Sequence, residues 1–349
     1  LKIVRIETTG AVNSCVSGTA ILVKNDSHYE DGDGVTGPYN DGSANVGEFA
    51  ARTAGAWGMV PIDKKLEIED IHKEVLKMSE ENKLAVNLPG CPLMHGTGMW
   101  LGALIPHLVG GCAVTIPQLG FDPDHFFKEA ERTKATNLII VGDAFAKPML
   151  DALDYAESED RPYKLDGINS IVSSGVMWSS EVKQGLLKHH DFDLVDAMGS
   201  TEGGMGSSRT SRESSADTAK FQLNPGVIVI TDEGEHVKPG SGVIGKIGTS
   251  GLVPEGYFKD EKKSAETFKD FEGKRYSFPG DYATVEEDGS ITLLGRGSNC
   301  INTAGEKVYP EEVEEAIKRH DDIYDCLVVG IKDDRFGQKV VALASFNEG

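Results

Sequence analysis

The chain has 349 residues, 39% hydrophobic and 26% charged, a composition that points to a globular protein of two or more domains. Its formal net charge of −21 repels phosphate backbones and excludes a general nucleic-acid role, so a phosphate-bearing ligand needs a local site of glycines, hydroxyls, one or two bases and a metal. No apolar run approaches the ~20 residues of a membrane span, and the scattered Cys15, Cys91, Cys112, Cys300 and Cys326 fit free thiols in a reducing cytoplasm rather than a zinc site or disulfide framework.

In chain order, residues 3–6 and 20–24 are candidate strands, and the Gly/Asp/Asn-rich stretch over 25–47 reads as loop or partial disorder. A charged amphipathic helix is expected over 68–83. Apolar runs then alternate with helical segments: a strand at 112–116, a helix over 122–134 with Asp122 as cap and Pro123 at its first position, a strand at 137–141, a helix to about 157, a strand at 168–173, a helix over 179–189 and a strand at 193–198. Continuously apolar strands alternating with helices imply a largely parallel sheet covered on both faces, with ligands at the C-terminal strand ends in loops leading into helices. After Gly226 short strands at 226–231, 244–249, 282–287 and 290–294 suggest a β-rich subdomain, with a hairpin turn at Asp288-Gly289. Tyr309-Pro310-Glu311-Glu312 opens a helix to about 320, and strands follow at 324–331 and 340–345.

The fold expected is α/β: an unassigned segment over 1–85, an α/β part with parallel sheet and flanking helices over 86–225, a β-rich subdomain over 226–296, and a hinge with a small, truncated α+β domain over 297–349. Two loops fall on one sheet edge, Ser173-Ser174-Gly175 and Met198-Gly199-Ser200-Thr201-Glu202. Glycines admit close backbone approach, the Ser200 and Thr201 hydroxyls can donate to phosphate, and Glu202 can hold Mg²⁺; a turn with a solvated glutamate explains the same residues. Asp281 after Gly280 can accept from both ribose hydroxyls, and the Arg296 guanidinium can fork onto sugar or phosphate oxygens. A plain turn and a surface ion pair are the bland readings. His95 can gate a pocket or orient a carboxylate, or be a structural histidine. Trp100, Met177 and Trp178 can line an apolar tunnel or simply pack in the core.

Taken in order, Met94-His95-Gly96, Ser173-Ser174-Gly175, Gly199-Ser200-Thr201-Glu202, Pro254-Glu255-Gly256-Tyr257, Gly280-Asp281, Gly295-Arg296 and Gly305-Glu306-Lys307-Val308-Tyr309-Pro310 resemble the adenylate-forming superfamily of acyl-CoA synthetases, luciferases and peptide-synthetase adenylation domains. The resemblance spans residues 88–349 and is greatest to fatty-acid and steroid-acid CoA ligases. It implies small-molecule substrates (ATP, a hydrophobic carboxylic acid and CoA) with Mg²⁺. The acid attacks the α-phosphate to give acyl-adenylate and pyrophosphate, the C-terminal domain swings, and the CoA thiol displaces AMP. Residue by residue, the resemblance places phosphate at Thr201, Mg²⁺ at Glu202, adenine beside Ser173, Ser174, Gly175 and the Met198–Gly199 backbone, ribose at Asp281 and Arg296, the hinge at Asn299, and His95 between acyl pocket and nucleotide. The family's Thr-Gly-x-Pro-Lys phosphate loop has only faint echoes at Ser17-Gly18-Thr19 and Val35-Thr36-Gly37-Pro38, and its C-terminal catalytic lysine is expected beyond Gly349. A weakly active ligase is the expectation. Carrier-protein loading and a catalytically dead nucleotide-binding module are the alternatives.

Overall fold

The computed structural model describes residues 21–22 and 76–346, apart from 109, 117–119, 201, 215–216, 252, 304–305, 321 and 334. The strand at 3–6, the loop at 25–47, both phosphate-loop echoes and most of the helix over 68–83 lie outside the described residues; 76–80 are helical. A two-residue strand, β1 (Ile21–Leu22), falls within the expected 20–24 segment.

Strands β2 (Val86–Pro89), β3 (Cys112–Ala113), β4 (Asn137–Ile140), β5 (Ser170–Ser174) and β6 (Asp193–Ser200) form a parallel sheet in the order β3-β2-β4-β5-β6. Successive side chains divide between its faces. Leu138, Ile140, Ile171 and Leu194 pack under the Pro123–Thr133, Asp143–Ser158 and Ser180–His189 helices, with Phe126, Met149 and Leu186. Ile139, Val172 and Val195 face the other way, against Leu101 and Ile105 of a helical segment that begins as a π-helix at Thr97–Leu104. Burial on both faces is why these strands are uninterrupted apolar runs, each fully buried Leu or Ile contributing roughly 1.5–3 kcal/mol. Asp122 caps its helix as its sequence requires, its carboxylate accepting from the backbone N–H of Asp124 and His125. The expected strand at 112–116 shrinks to two residues at the sheet edge, where one partner strand supports it.

The parallel pattern ends after β6. Residues 198–204, expected as a loop leading into a helix, instead complete β6 and turn into an antiparallel strand, β7 (Gly203–Thr210), with Ser200 paired to Gly203. This corrects the sequence reading. Gly203, Gly204 and Gly206 look like loop residues because glycine is depleted in strands. At Gly206 closeness demands glycine: a Cβ there would sit 2.5 Å from the Gln222 carbonyl of the next strand, β8 (Lys220–Leu223).

The sheet continues through β9 (Val227–Ile230), β10 (Gly245–Ser250), a short β11 (Gly256–Tyr257) paired to β1, β12 (Phe268–Phe271), β13 (Lys274–Ser277), β14 (Asp281–Val285) and β15 (Ile291–Arg296). All of these but β11 belong to one 13-stranded sheet with β2–β8. Met198, Met205, Phe221, Ile247, Ala283 and Ile291 make its second core. The Asp288-Gly289 turn forms as expected, with Gly289 at φ 79° and Ser290 N–H donating to the Asp288 carboxylate.

Beyond Arg296, β16 (Ile301–Thr303), β17 (Glu306–Val308), β18 (Ile323–Asp333) and β19 (Gly337–Phe346) form a four-stranded antiparallel sheet, order β17-β16-β19-β18. The Pro310–Lys318 helix covers it over Ile301, Cys326 and Val328.

Candidate functional site

The C-terminal ends of β4, β5 and β6 lie side by side, because their registers run Ile140 to Ser173 and Ser174 to Ala197. That edge gathers two of the sequence-predicted segments. Ser173 is fully buried, and its hydroxyl accepts from the Gly142 N–H at 2.9 Å, so it fixes the neighbouring strand end while Ser174 and Gly175 face outward. His95 joins them. Thr97, two residues on, donates its hydroxyl to the Ser174 carbonyl at 3.0 Å and its N–H to His95 Nδ1 at 3.2 Å. A Cβ on Gly175 would lie 3.2 Å from the His95 ring, and Gly175 has φ 100°, so glycine is required for both backbone shape and close approach.

On the adjacent strand the Met198 side chain is buried in the second core, leaving backbone and the exposed Gly199 at the surface. Ser200 accepts from the Glu202 N–H at 3.2 Å, which orders the turn. Thr201 lies outside the described residues. Trp178 is wholly buried in the first core with Lys183 5.4 Å from its ring, so it packs rather than lining a tunnel. Met177 and Trp100 are half-buried.

The acid and base of the third segment meet directly. Asp281 opens β14, Arg296 closes β15, and the two are register partners with Arg296 Nε 3.4 Å from Asp281 Oδ1. Burial raises the Asp281 carboxyl above the ordinary carboxylate range; the Arg296 guanidinium opposes this, while the charges of Glu202 and Glu311 add to it. Glu202, Asp281, Arg296 and Glu311 therefore share one electrostatic neighbourhood. The segment expected as a hinge is tied to it. Gly297 N–H donates to the Gly280 carbonyl at 2.9 Å, and the Asn299 amide donates to Glu311 Oε1 at 3.3 Å.

Sequence reasoning gave no role to Tyr257, whose hydroxyl donates to Glu202 Oε1 at 2.5 Å. Burial, then this bond, push the phenol well above its usual value, so it stays a donor. Its signal was the Pro254-Glu255-Gly256-Tyr257 segment. The other Glu202 oxygen, Oε2, has no hydrogen-bond partner among the described residues. One carboxylate oxygen held and one left open suits Mg²⁺, which binds through one or two carboxylates and substrate phosphates.

A profile of the family described as AMP-binding enzyme matches residues 68–258. The medium/long-chain-fatty-acid–CoA/3-oxocholest-4-en-26-oate–CoA ligase of Mycolicibacterium smegmatis is 40% identical over 279 residues, 78% of this chain and 50% of that protein. The 3-oxocholest-4-en-26-oate–CoA ligase of Rhodococcus rhodochrous is 38% identical over 281 residues, with 79% and 50% covered. The chain thus spans about half the length of the curated relatives it matches. Among solved structures, ATP-bound MatB from Rhodopseudomonas palustris shares the fold with a TM-score of 0.63 at 20% identity, over 81% of this chain and 55% of that one. O-succinylbenzoate coenzyme A synthetase from Bacillus subtilis in complex with AMP gives a TM-score of 0.60 at 19% identity, over 80% and 55%.

Proposed function

This chain belongs to the AMP-binding enzyme family, and from that premise we propose that it serves an ATP-dependent ligation of a hydrophobic carboxylic acid to CoA, by way of an acyl-adenylate. The observation that carries the reading is the convergence of the Asp281–Arg296 pair with Glu202 beside one sheet edge. The names of the relatives, medium/long-chain-fatty-acid–CoA and 3-oxocholest-4-en-26-oate–CoA ligase, support an apolar acid of fatty or steroid type.

In this reading each residue has a physical task. The Asp281 carboxylate accepts from the ribose hydroxyls, and Arg296, half exposed, contacts sugar or phosphate oxygens while keeping Asp281 ionised. Ser174, Gly175 and the Met198–Gly199 backbone flank adenine, with Ser173 locking the β4 strand end beneath them. Ser200 and Thr201 donate to phosphate. Glu202 holds Mg²⁺, which neutralises phosphate charge when bound. His95 stands on Gly175 and orients the acid at the mouth of the π-helical segment. The acid oxygen attacks the α-phosphorus, pyrophosphate leaves, and the CoA thiol then displaces AMP from the acyl carbon. A cytoplasmic setting belongs to the same proposal, supported by the free Cys91, Cys112, Cys300 and Cys326.

The test uses stable acyl-adenylate mimics in which a sulfamate replaces the phosphate. A long-chain acyl mimic is expected to bind the chain at least ~10-fold more tightly than AMP or the acetyl mimic, because apolar burial adds about 0.8 kcal/mol per CH₂. Equal affinity for all three rejects the hydrophobic-acid reading. Conversion of a preformed acyl-adenylate to thioester with CoA, and not with a carrier protein, identifies the acceptor.

A further inference from the structure

We infer that Tyr257 is a positioning residue for the metal ligand: its hydroxyl holds Glu202 Oε1 so that Oε2 is presented to a divalent cation bridging to nucleotide phosphate. The inference rests on the proposed function above, in which Glu202 binds that cation.

The tyrosine is fixed before it reaches the glutamate. Its ring is buried at 6% exposure against Val253 and Phe268, with the Phe268 centroid 5.3 Å away and the Lys263 ammonium 4.5 Å from its own centroid. Its N–H donates to the Ser264 hydroxyl at 2.7 Å, and its backbone pairs with Ile21. Gly256 beside it leaves room for Ser264, whose Oγ a Cβ there would meet at 2.7 Å. A ring held by packing, cation and backbone leaves its hydroxyl no freedom to wander, and that hydroxyl reaches a carboxylate 55 residues earlier in the chain.

The bond length, 2.5 Å, is that of a charge-assisted O–H···O⁻ contact. Glu202 itself lies in the connection between β6 and β7, its N–H donating to the Ser200 hydroxyl. Without the phenol its half-buried side chain would have more rotamers open to it and would lose rotamer entropy on meeting a cation. With it, one oxygen is occupied and the other is aimed. Partners of this kind, one step behind a metal ligand, change metal affinity by about 10–100-fold when removed.

The experiment follows Mn²⁺·ATP binding to the full chain by water-proton relaxation, and ATP binding in EDTA by calorimetry. Tyr257→Phe removes one oxygen and keeps the ring packing. It is expected to weaken Mn²⁺·ATP binding about 10–100-fold and to leave metal-free ATP binding unchanged. In a Glu202→Gln background the same substitution should have no further effect. Ser264→Ala, which loosens the tyrosine without touching its hydroxyl, should give a smaller loss in the same direction. A wild-type chain that does not bind Mn²⁺·ATP, or one in which Glu202→Gln binds it unchanged, rejects the proposed function and the inference together. Loss with Glu202→Gln but not with Tyr257→Phe overturns the inference alone, as does an equal loss of metal-free binding.

Discussion

Asp281 and Arg296 face each other as the terminal pair of the β14–β15 ladder, with Arg296 Nε 3.4 Å from Asp281 Oδ1. The two ends of the pair differ in exposure: the arginine side chain is 53% exposed and the aspartate 15%. An ion pair open to water on one side adds ~0–1 kcal/mol to stability. Its placement matters more, because it holds an acid and a base together at the end of the hairpin from which the chain leaves toward β16.

Asp281→Asn is therefore expected to leave the melting temperature within a degree or two and to weaken AMP binding by about 10–100-fold, the equivalent of one or two charge-assisted hydrogen bonds. Arg296→Ala should cost less, since its contacts are solvent-screened. Isothermal calorimetry with AMP measures both. Wild-type affinity in Asp281→Asn would remove Asp281 from the ribose site.

The same carboxyl predicts a pH dependence. Burial raises the folded pKa of Asp281 above its unfolded value, near 3.9. The ionised form is thus the disfavoured one in the folded chain: this group opposes folding at neutral pH, and that cost disappears as pH falls through the folded pKa. The proposed ribose contact needs the ionised form, so AMP affinity should decline on acidification from a higher pH than an ordinary aspartate would allow. Calorimetric titrations from pH 7 downward test the direction. In Asp281→Asn the slope should be absent and the folded state slightly more stable at neutral pH.

Gly295 and Glu311 connect the end of β15 to the Pro310–Lys318 helix. A Cβ on Gly295 would lie 2.5 Å from Glu311 Oε2, a buried oxygen without a hydrogen-bond partner among the described residues, and Gly295 has φ 125°. Gly295→Ala should destabilise the chain by about 1–3 kcal/mol through strain alone and displace the Pro310–Lys318 helix from β15. Faster proteolysis within residues 297–300 reads that displacement. Glu311→Ala added to it should recover only part of the loss, because the backbone strain remains.

The parallel half of the sheet was legible because strands buried on both faces must be apolar throughout, as Leu138, Ile139 and Ile140 are. The Asp122 cap and the Pro310 helix start were legible because capping is local chemistry. The strand at 203–210 was not, since Gly203 answers to Thr249 of β10 and Gly206 to the approach of β8, both tertiary facts. Nor were the strands at 268–271 and 274–277, where Lys269, Asp270, Lys274 and Arg275 are exposed on an edge hairpin and mask the alternation. In the candidate site, the motif order singled out Glu202, Asp281 and Arg296, but the meeting of Asp281 with Arg296 depends on sheet register. Tyr257 was visible as a residue and not as a partner, because nothing local connects it to a glutamate 55 positions away.

Lys183 and Asp196 form a buried pair beneath the site, with side-chain exposures of 1% and 5% and an Nζ–Oδ2 distance of 3.2 Å. Lys183 also donates to the Asp217 carbonyl at 3.0 Å, so the helix, the β6 strand and Asp217 meet at one ammonium. Removing one partner leaves an uncompensated charge in the core. Lys183→Met alone should cost about 3–5 kcal/mol, while Lys183→Met with Asp196→Leu should recover most of it, since apolar replacement of both partners of a buried pair is often neutral or better. Burial pushes the Asp196 carboxyl up to about 6, against the pull of Lys183. A folded pKa raised above an unfolded one near 3.9 means that the folded state binds the extra proton, so stability from this group falls as pH rises from about 4 to about 6, by on the order of 2–3 kcal/mol. Urea unfolding of the wild type and of the double variant at pH 4, 5, 6 and 7 isolates this contribution, because the other carboxylates cancel in the difference. A difference that stays flat across that window would show that Asp196 titrates as an ordinary carboxylate and that the pair carries its charge into the core without strain.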